Sequence, residues 1–191
     1  MGAISEVLSY LLQTVLSLLL FAVLLRLLLQ QSKADFYNPI SQFIVKLTSP
    51  MLAPLRKIAP GVWGPIVLLL LLQMIAIGSI LALGGYSLPN PALLALWALI
   101  GLIGLVVNFY FFALLAMIIL SWIAPGSGNP AVRLLYQLTE PVMAPFRRLL
   151  PAMGGLDLSP IFVFIAINII QIFLRHAAAS VGLHPALVIG L

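Results

Sequence analysis

The chain has 191 residues, of which 63% are hydrophobic and 7% charged, with a net charge of +5. A soluble domain carries about 25% charged residues, so composition excludes that class and places the chain among integral membrane proteins, in keeping with a mean hydropathy of +1.23. The basic balance would point to nucleic acid in a soluble protein. Here the cations sit beside apolar runs, where they report orientation and anionic lipid, and no nucleic-acid contact is required. There is no cysteine, which removes disulfide and thiolate chemistry.

Residues 7–29 form the first apolar run, long enough at 1.5 Å per residue to cross a hydrocarbon core of about 30 Å. It does not read as a signal peptide, since Glu6 stands where a basic segment belongs and no small-residue cleavage site follows. Residues 30–64 are a polar loop, 65–83 a second span, and 85–92 a short uncharged connector rich in turn residues. The third run, 93–123, exceeds what a perpendicular helix needs and must tilt, kink or enter the interfaces. A second polar loop occupies 124–159. The fourth span runs over 160–183, with Ser159 expected as its N-cap and Pro160 at its first position.

The two polar loops are copies of one another. NPISQFIVKLTSPMLAPLRKIAP begins at Asn38 and NPAVRLLYQLTEPVMAPFRRLLP at Asn129, an ungapped offset of 91 with nine of 23 positions identical. Four of the matches are prolines. Residues 1–84 and 93–191 are therefore tandem repeats, each reading span, motif, span. Two spans per repeat return the chain to its starting side, so the repeats are predicted to be parallel. The fold class expected is an all-α membrane protein with an interfacial amphipathic helix pair in each repeat. Arg26, Lys33, Lys46, Arg56, Lys57, Arg133, Arg147 and Arg148 flank the motifs, leaving only Arg175 elsewhere. The positive-inside bias then predicts an inner (cytoplasmic) membrane protein with cytoplasmic motif loops and both termini opposite.

Within each motif, Asn38-Pro39 and Asn129-Pro130 have the form of helix starts, asparagine capping free amides and proline presetting the first dihedral. Apolar residues follow at 40, 43, 44 and 47 and at 131, 134, 135 and 138, the spacing of one helical face. Pro50 and Pro141 are expected to stop these helices. Second short turns are expected from Pro54 and Pro145, ending in Arg56-Lys57 and Arg147-Arg148 at the negative helix end. Such a helix pair is too short and proline-broken to span and suits the interface. Its Lys46, Arg56, Lys57, Arg133, Arg147 and Arg148 are candidates for anionic headgroups or a membrane-associated protein partner. A passive tie between spans and a re-entrant, pore-lining segment are the alternatives.

The doubled motif, with Ser121-Trp122 before its second copy and PAMGGLDLSP around its end, resembles the YggT family of small integral membrane proteins, which includes the YlmG proteins. The likeness covers nearly the whole chain, although the first copy has Gln30-Gln31 and GVWGPI where the second has Ser121-Trp122 and AMGGLD. The resemblance implies links with osmotic-stress tolerance, bacterial division and envelope upkeep, and in plastids with cytochrome complex assembly and nucleoid distribution. It implies no enzymatic activity.

Of the remaining polar residues, Arg26 lies one turn from the end of its span and is expected to anchor at the headgroups. Arg175 sits deeper and is expected to snorkel outward or pair with Glu6 at similar depth. Gln73, Asn108, Asn168 and Gln171 lie within spans, where interhelical hydrogen bonds are the ordinary use. Aligning Pro65-Ile66 with Pro160-Ile161 sets Gln73 opposite Asn168. Gly78, Gly101 and Gly104 offer places for close helix approach. No nucleophile–base pair, paired carboxylates or metal-spaced cluster can be assembled, so no catalytic, cofactor or metal site is expected. Asp157 reads as helix-dipole compensation. The expected function is a non-enzymatic scaffold or assembly factor, with a small channel or transporter as runner-up and homo-oligomers compatible with either.

Overall fold

The computed structural model describes residues 3–124, 126–149 and 157–190. These residues form six helices: α1 (Ala3–Gln31), α2 (Pro39–Leu52), α3 (Trp63–Leu83), α4 (Pro91–Ile123), α5 (Pro130–Leu149) and α6 (Ser159–Ser180). Short 3-10 turns occupy Pro54–Lys57 and Pro185–Leu187, and no strand occurs among the described residues. Helices α1, α3, α4 and α6 are long and apolar enough to cross a membrane. At 33 residues, α4 is about 50 Å long, the excess length read from its sequence.

Packing order follows chain order. Helix α1 packs on α3, α3 on α4 and α4 on α6, while α2 lies against α1 and α3, and α5 against α4 and α6. Two apolar clusters result. One gathers Leu20 and Leu24 of α1, Leu69 of α3, Ile44 of α2 and Leu138 of α5. The other gathers Ile77 of α3, Leu114 of α4, Met143 of α5 and Val163 of α6. Helices α3 and α4 serve both clusters and are the interior elements; α1 and α6 flank the row. Large apolar side chains such as Leu11, Leu18, Ile165 and Phe173 face outward, as hydrocarbon-facing positions do.

Two local expectations fail. Proline does not end the motif helices: Pro50 lies inside α2, and Pro141 and Pro145 both lie inside α5. Each removes an amide and crowds the carbonyl four residues earlier. All three prolines are on the exposed side of their helices, where a released carbonyl can bond to water or headgroups, while the opposite side is held in the core. The second motif is consequently one 20-residue helix, whereas the first breaks into a helix and a 3-10 turn. Ser159 is also the first helical residue and not the cap; the Asp157 carboxylate accepts its amide at 2.9 Å.

The fourth span ends at Ser180, short of 183. Gly182 adopts φ +68°, and Leu183 N–H bonds to Ala178 O at 2.9 Å while Gly182 N–H bonds to Ala179 O at 3.1 Å, the paired bonds of a left-handed helix stop. The chain then folds back along α3 and α4. Trp97 Nε1 donates to Val181 O at 3.1 Å, Gln73 Nε2 to Ile189 O at 3.0 Å and Asn108 Nδ2 to Gly190 O at 2.9 Å. Val188 is buried, and at Gly101 a Cβ would overlap both Val188 Cγ1 and Gln73 Nε2. The missing side chain at Gly101 thus admits the returning tail. Gly101→Ala is expected to cost about 1–3 kcal/mol through overpacking, while Gly78→Ala, where the nearest side-chain atom lies 3.8 Å away, stays near neutral. Thermal unfolding in detergent checks the pair.

Candidate functional site

Both motif helices begin by the same local chemistry. Asn38 Oδ1 accepts Ile40 N–H at 2.9 Å, and Asn129 Oδ1 accepts Ala131 N–H at 2.8 Å. Their surroundings differ. Asn129 is exposed, but Asn38 is only 5% exposed and its Nδ2 donates to Pro130 O at 2.7 Å. Beside it, Asp35 N–H donates to Gln137 Oε1 at 3.0 Å, and the Asp35 carboxylate lies 3.8 Å from Arg133. These contacts join the two motifs at one end of the bundle, as parallel repeats require.

The buried ridge of α2 is rotated from the face expected, whereas α5 keeps Leu134 and Leu138 of the expected face inward. In α2 the inward residues are Ser41, Ile44, Thr48 and Leu52, and in α5 they include Val132, Leu134, Leu138, Thr139 and Met143. Phe43 and Leu47 point outward instead, at 64% and 46% exposure, flanking the exposed Lys46. Sequence reasoning passed over Thr48 and Thr139, both essentially inaccessible. Each hydroxyl donates back along its own helix, to Ile44 O at 2.7 Å and Leu135 O at 2.9 Å. That internal bond lets a polar residue face the core. The available signal was their identity in both copies one turn after the apolar residues Ile44 and Leu135.

The cations fall into two groups. Arg147 is engaged within its own repeat, 2.7 Å from Glu140 and 3.2 Å from Asp157. At Asp157, burial alone would raise the carboxyl pKa; hydrogen bonds from Ser159 and Arg147 outweigh it and hold the group below the usual carboxylate range. Lys46, Arg56, Lys57 and Arg148 are exposed, and no carboxylate lies within 4 Å of them among the described residues. Pro39, Pro54 and Pro130 frame these segments as helix or turn starts. Arg56 lines a cleft of about 330 Å³ together with Arg26 and Gln30 of α1. Exposed aromatic residues (Phe36, Tyr37, Trp63, Trp122) ring the same end.

The polar residues within spans gather at one place with one exception. Gln73 is fully buried against the returning tail, and Gln171 Nε2 donates to Asn108 Oδ1 at 2.8 Å. Arg175 borders a small cleft of about 80 Å³ with Asn108, Gln171 and Gly190. Asn168 stands apart, exposed and bonded to Phe164 O of its own helix at 2.8 Å. It is no counterpart of Gln73, because α3 is interior and α6 is at the edge of the row. Nor does Arg175 pair with Glu6: they sit on α6 and α1, which pack on α4 and α3 respectively, and the three ion pairs among the described residues do not include them. No group of three His, Asp or Glu side chains that could hold a metal ion occurs among the described residues.

The fold and motif end together define an all-helical multi-pass membrane protein built from a duplicated helix–motif–helix unit. The CCB3/YggT family model matches it twice, over residues 5–83 and 96–178, and the chain belongs to that family. An uncharacterised protein of Pseudomonas aeruginosa is 47% identical over 91% of each chain. The uncharacterised protein YggT of Escherichia coli K12 is 38% identical over 92% of this chain and 93% of its own. The chloroplastic YlmG homolog protein 2 of Arabidopsis thaliana is 36% identical over 42% of this chain and 32% of its own. No solved structure matches.

Although both cap asparagines are identical in sequence, their replacement should not cost the same. Asn129→Ala loses one exposed cap, about 1 kcal/mol; Asn38→Ala also loses the side-chain bond to Pro130 O and should cost about 1 kcal/mol more. Unfolding of both variants in one detergent measures the difference. Since the Asp157 carboxyl is held low in the fold, its contribution is present above the ordinary carboxylate pKa and is lost as pH falls through its lowered value. Asp157→Asn should therefore lower the melting temperature at neutral pH, with the gap from wild type closing in acid.

Proposed function

We propose that the protein is a non-enzymatic membrane scaffold that holds a membrane-associated protein partner on one composite platform at the cytoplasmic face of the inner membrane. The observation that carries this reading is the junction of Asp35 and Asn38 with Arg133, Pro130 and Gln137, which merges two repeated motifs into a single surface. Lys46, Lys57 and Arg148 stand on that surface without carboxylate partners among the described residues. Phe43 and Leu47 supply outward apolar area beside them. Cations next to exposed aromatic side chains are what the headgroup region favours, and the grouping of eight of the nine Lys and Arg residues at the motif end supports a cytoplasmic orientation. Links with osmotic-stress tolerance or division, implied by the family resemblance, are compatible with a scaffold.

The polar groups within the bundle are largely bonded to one another and to the returning tail, which supports a structural use over a transport path. In-cell photocrosslinking from position 47 or 149 is expected to capture a defined protein, with capture falling about tenfold in Lys57→Glu/Arg148→Glu. Capture that survives the charge reversal, together with solute flux in proteoliposomes that Gln73→Leu abolishes, would replace the scaffold with a channel.

A further inference from the structure

The two repeats treat one shared arginine in opposite ways. Arg147 of the second is neutralised by Glu140 and Asp157. Its counterpart Arg56, at the common offset of 91, has Ser49 where the second repeat has Glu140. In place of a carboxylate it shares its cleft with another guanidinium, that of Arg26, whose own counterpart is Met117. No carboxylate lies within 4 Å of Arg26 or Arg56 among the described residues.

The same cleft holds unmet hydrogen-bonding capacity. Arg26 Nε and Gln30 Oε1 are both buried without a partner, and buried donors and acceptors are rarely left so. Two cations facing one space of about 330 Å³ repel unless an anion lies between them. The remaining walls are Leu52, the 59–61 loop, and Gly64 and Pro65 at the start of α3. The residue preceding α3, Val62, gives no side-chain cap to that positive helix end. Arg26 is five residues before the end of α1, about 7.5 Å along the axis, at headgroup depth if α1 spans.

We propose that this cleft binds the phosphodiester of one anionic lipid, with Arg26 and Arg56 donating to the phosphate and Gln30 Oε1 accepting from a headgroup hydroxyl. A guanidinium pair matches phosphate oxygens through charge-assisted bonds. An ammonium headgroup would be repelled by the same guanidiniums, so a hydroxylated, net-anionic lipid of the phosphatidylglycerol type fits. In the second repeat the corresponding guanidinium, that of Arg147, is instead met by Glu140 and Asp157. This inference rests on the membrane placement of the motif end given above and not on the scaffold role.

Native mass spectrometry of the full chain released from nanodiscs of mixed phosphatidylcholine and phosphatidylglycerol tests it. One phosphatidylglycerol should be retained per chain, with retention about tenfold lower in Arg26→Gln and in Arg56→Gln and unchanged in Arg147→Gln. Gln30→Glu is near-isosteric and places a carboxylate between the guanidiniums. It should expel the lipid without lowering the melting temperature, an outcome that a merely misfolded variant does not give. Equal retention of both lipids, or retention indifferent to Arg26, Gln30 and Arg56, overturns the site. Stabilisation of detergent-purified protein by inorganic phosphate alone, dependent on Arg26 and without preference for phosphatidylglycerol, assigns the cleft to free phosphate and overturns the lipid. Partner crosslinking in Lys57→Glu/Arg148→Glu reads the scaffold separately, so either reading can fail alone.

Discussion

The hydrogen bond from the Asn38 side chain to the Pro130 carbonyl, with the neighbouring Asp35–Gln137 bond, holds the two halves of the molecule in register at their motif end. Helices α2 and α5 each rest on their own pair of spans and also meet in one apolar cluster through Ile44, Leu134 and Leu138; the polar junction adds direction to that contact. Asn38 is itself buried, and a buried side-chain donor is costly to leave unpaired, so Asn38 does more than cap a helix. It makes the start of the second motif part of the environment of the first. The placement of one motif beside the other on the shared surface follows from that junction together with the apolar contact.

Duplication supplied two copies of one unit, but the fold does not use them equally. Helix α3 is covered on two sides by α1 and α4, and a glutamine on it can be fully buried because the returning tail brings a carbonyl to it. Helix α6 lies at the edge, and its aligned asparagine bonds back to its own helix. The charges diverge in the same manner. Glu140 and Asp157 satisfy Arg147 inside the second repeat, whereas the first repeat places a second cation beside Arg56. Where a chain carries so few carboxylates, only four in all, the location of each decides which cations are available to something outside the protein.

The proline pattern also shows how a local rule depends on its surroundings. Interior prolines disfavour helix because an amide bond is lost and a carbonyl is displaced. In α5 both prolines lie on the outward side, opposite Leu138, Thr139 and Met143. Burial on one face keeps the helix intact while the weakened face meets a polar environment. The same tension explains why the apolar stripe read from α2 is turned from the buried ridge. In water, Phe43 and Leu47 would have to face the core; beside a membrane, apolar side chains have favourable surroundings on both sides.

Sequence by itself determined the class, the four apolar spans, the duplication, the parallel order of the repeats and the two asparagine caps. These follow from length, hydropathy and local backbone chemistry, which act through near neighbours in the chain. Only the tertiary structure decided that Asn38 is buried and Asn129 exposed, that the tail returns past Gly101 to Gln73 and Asn108, and that Arg26 shares a cleft with Arg56. Each of those depends on groups far apart in sequence, and identical residues in two repeats have identical local preferences. Their difference arises from which neighbours the packed helices bring to them.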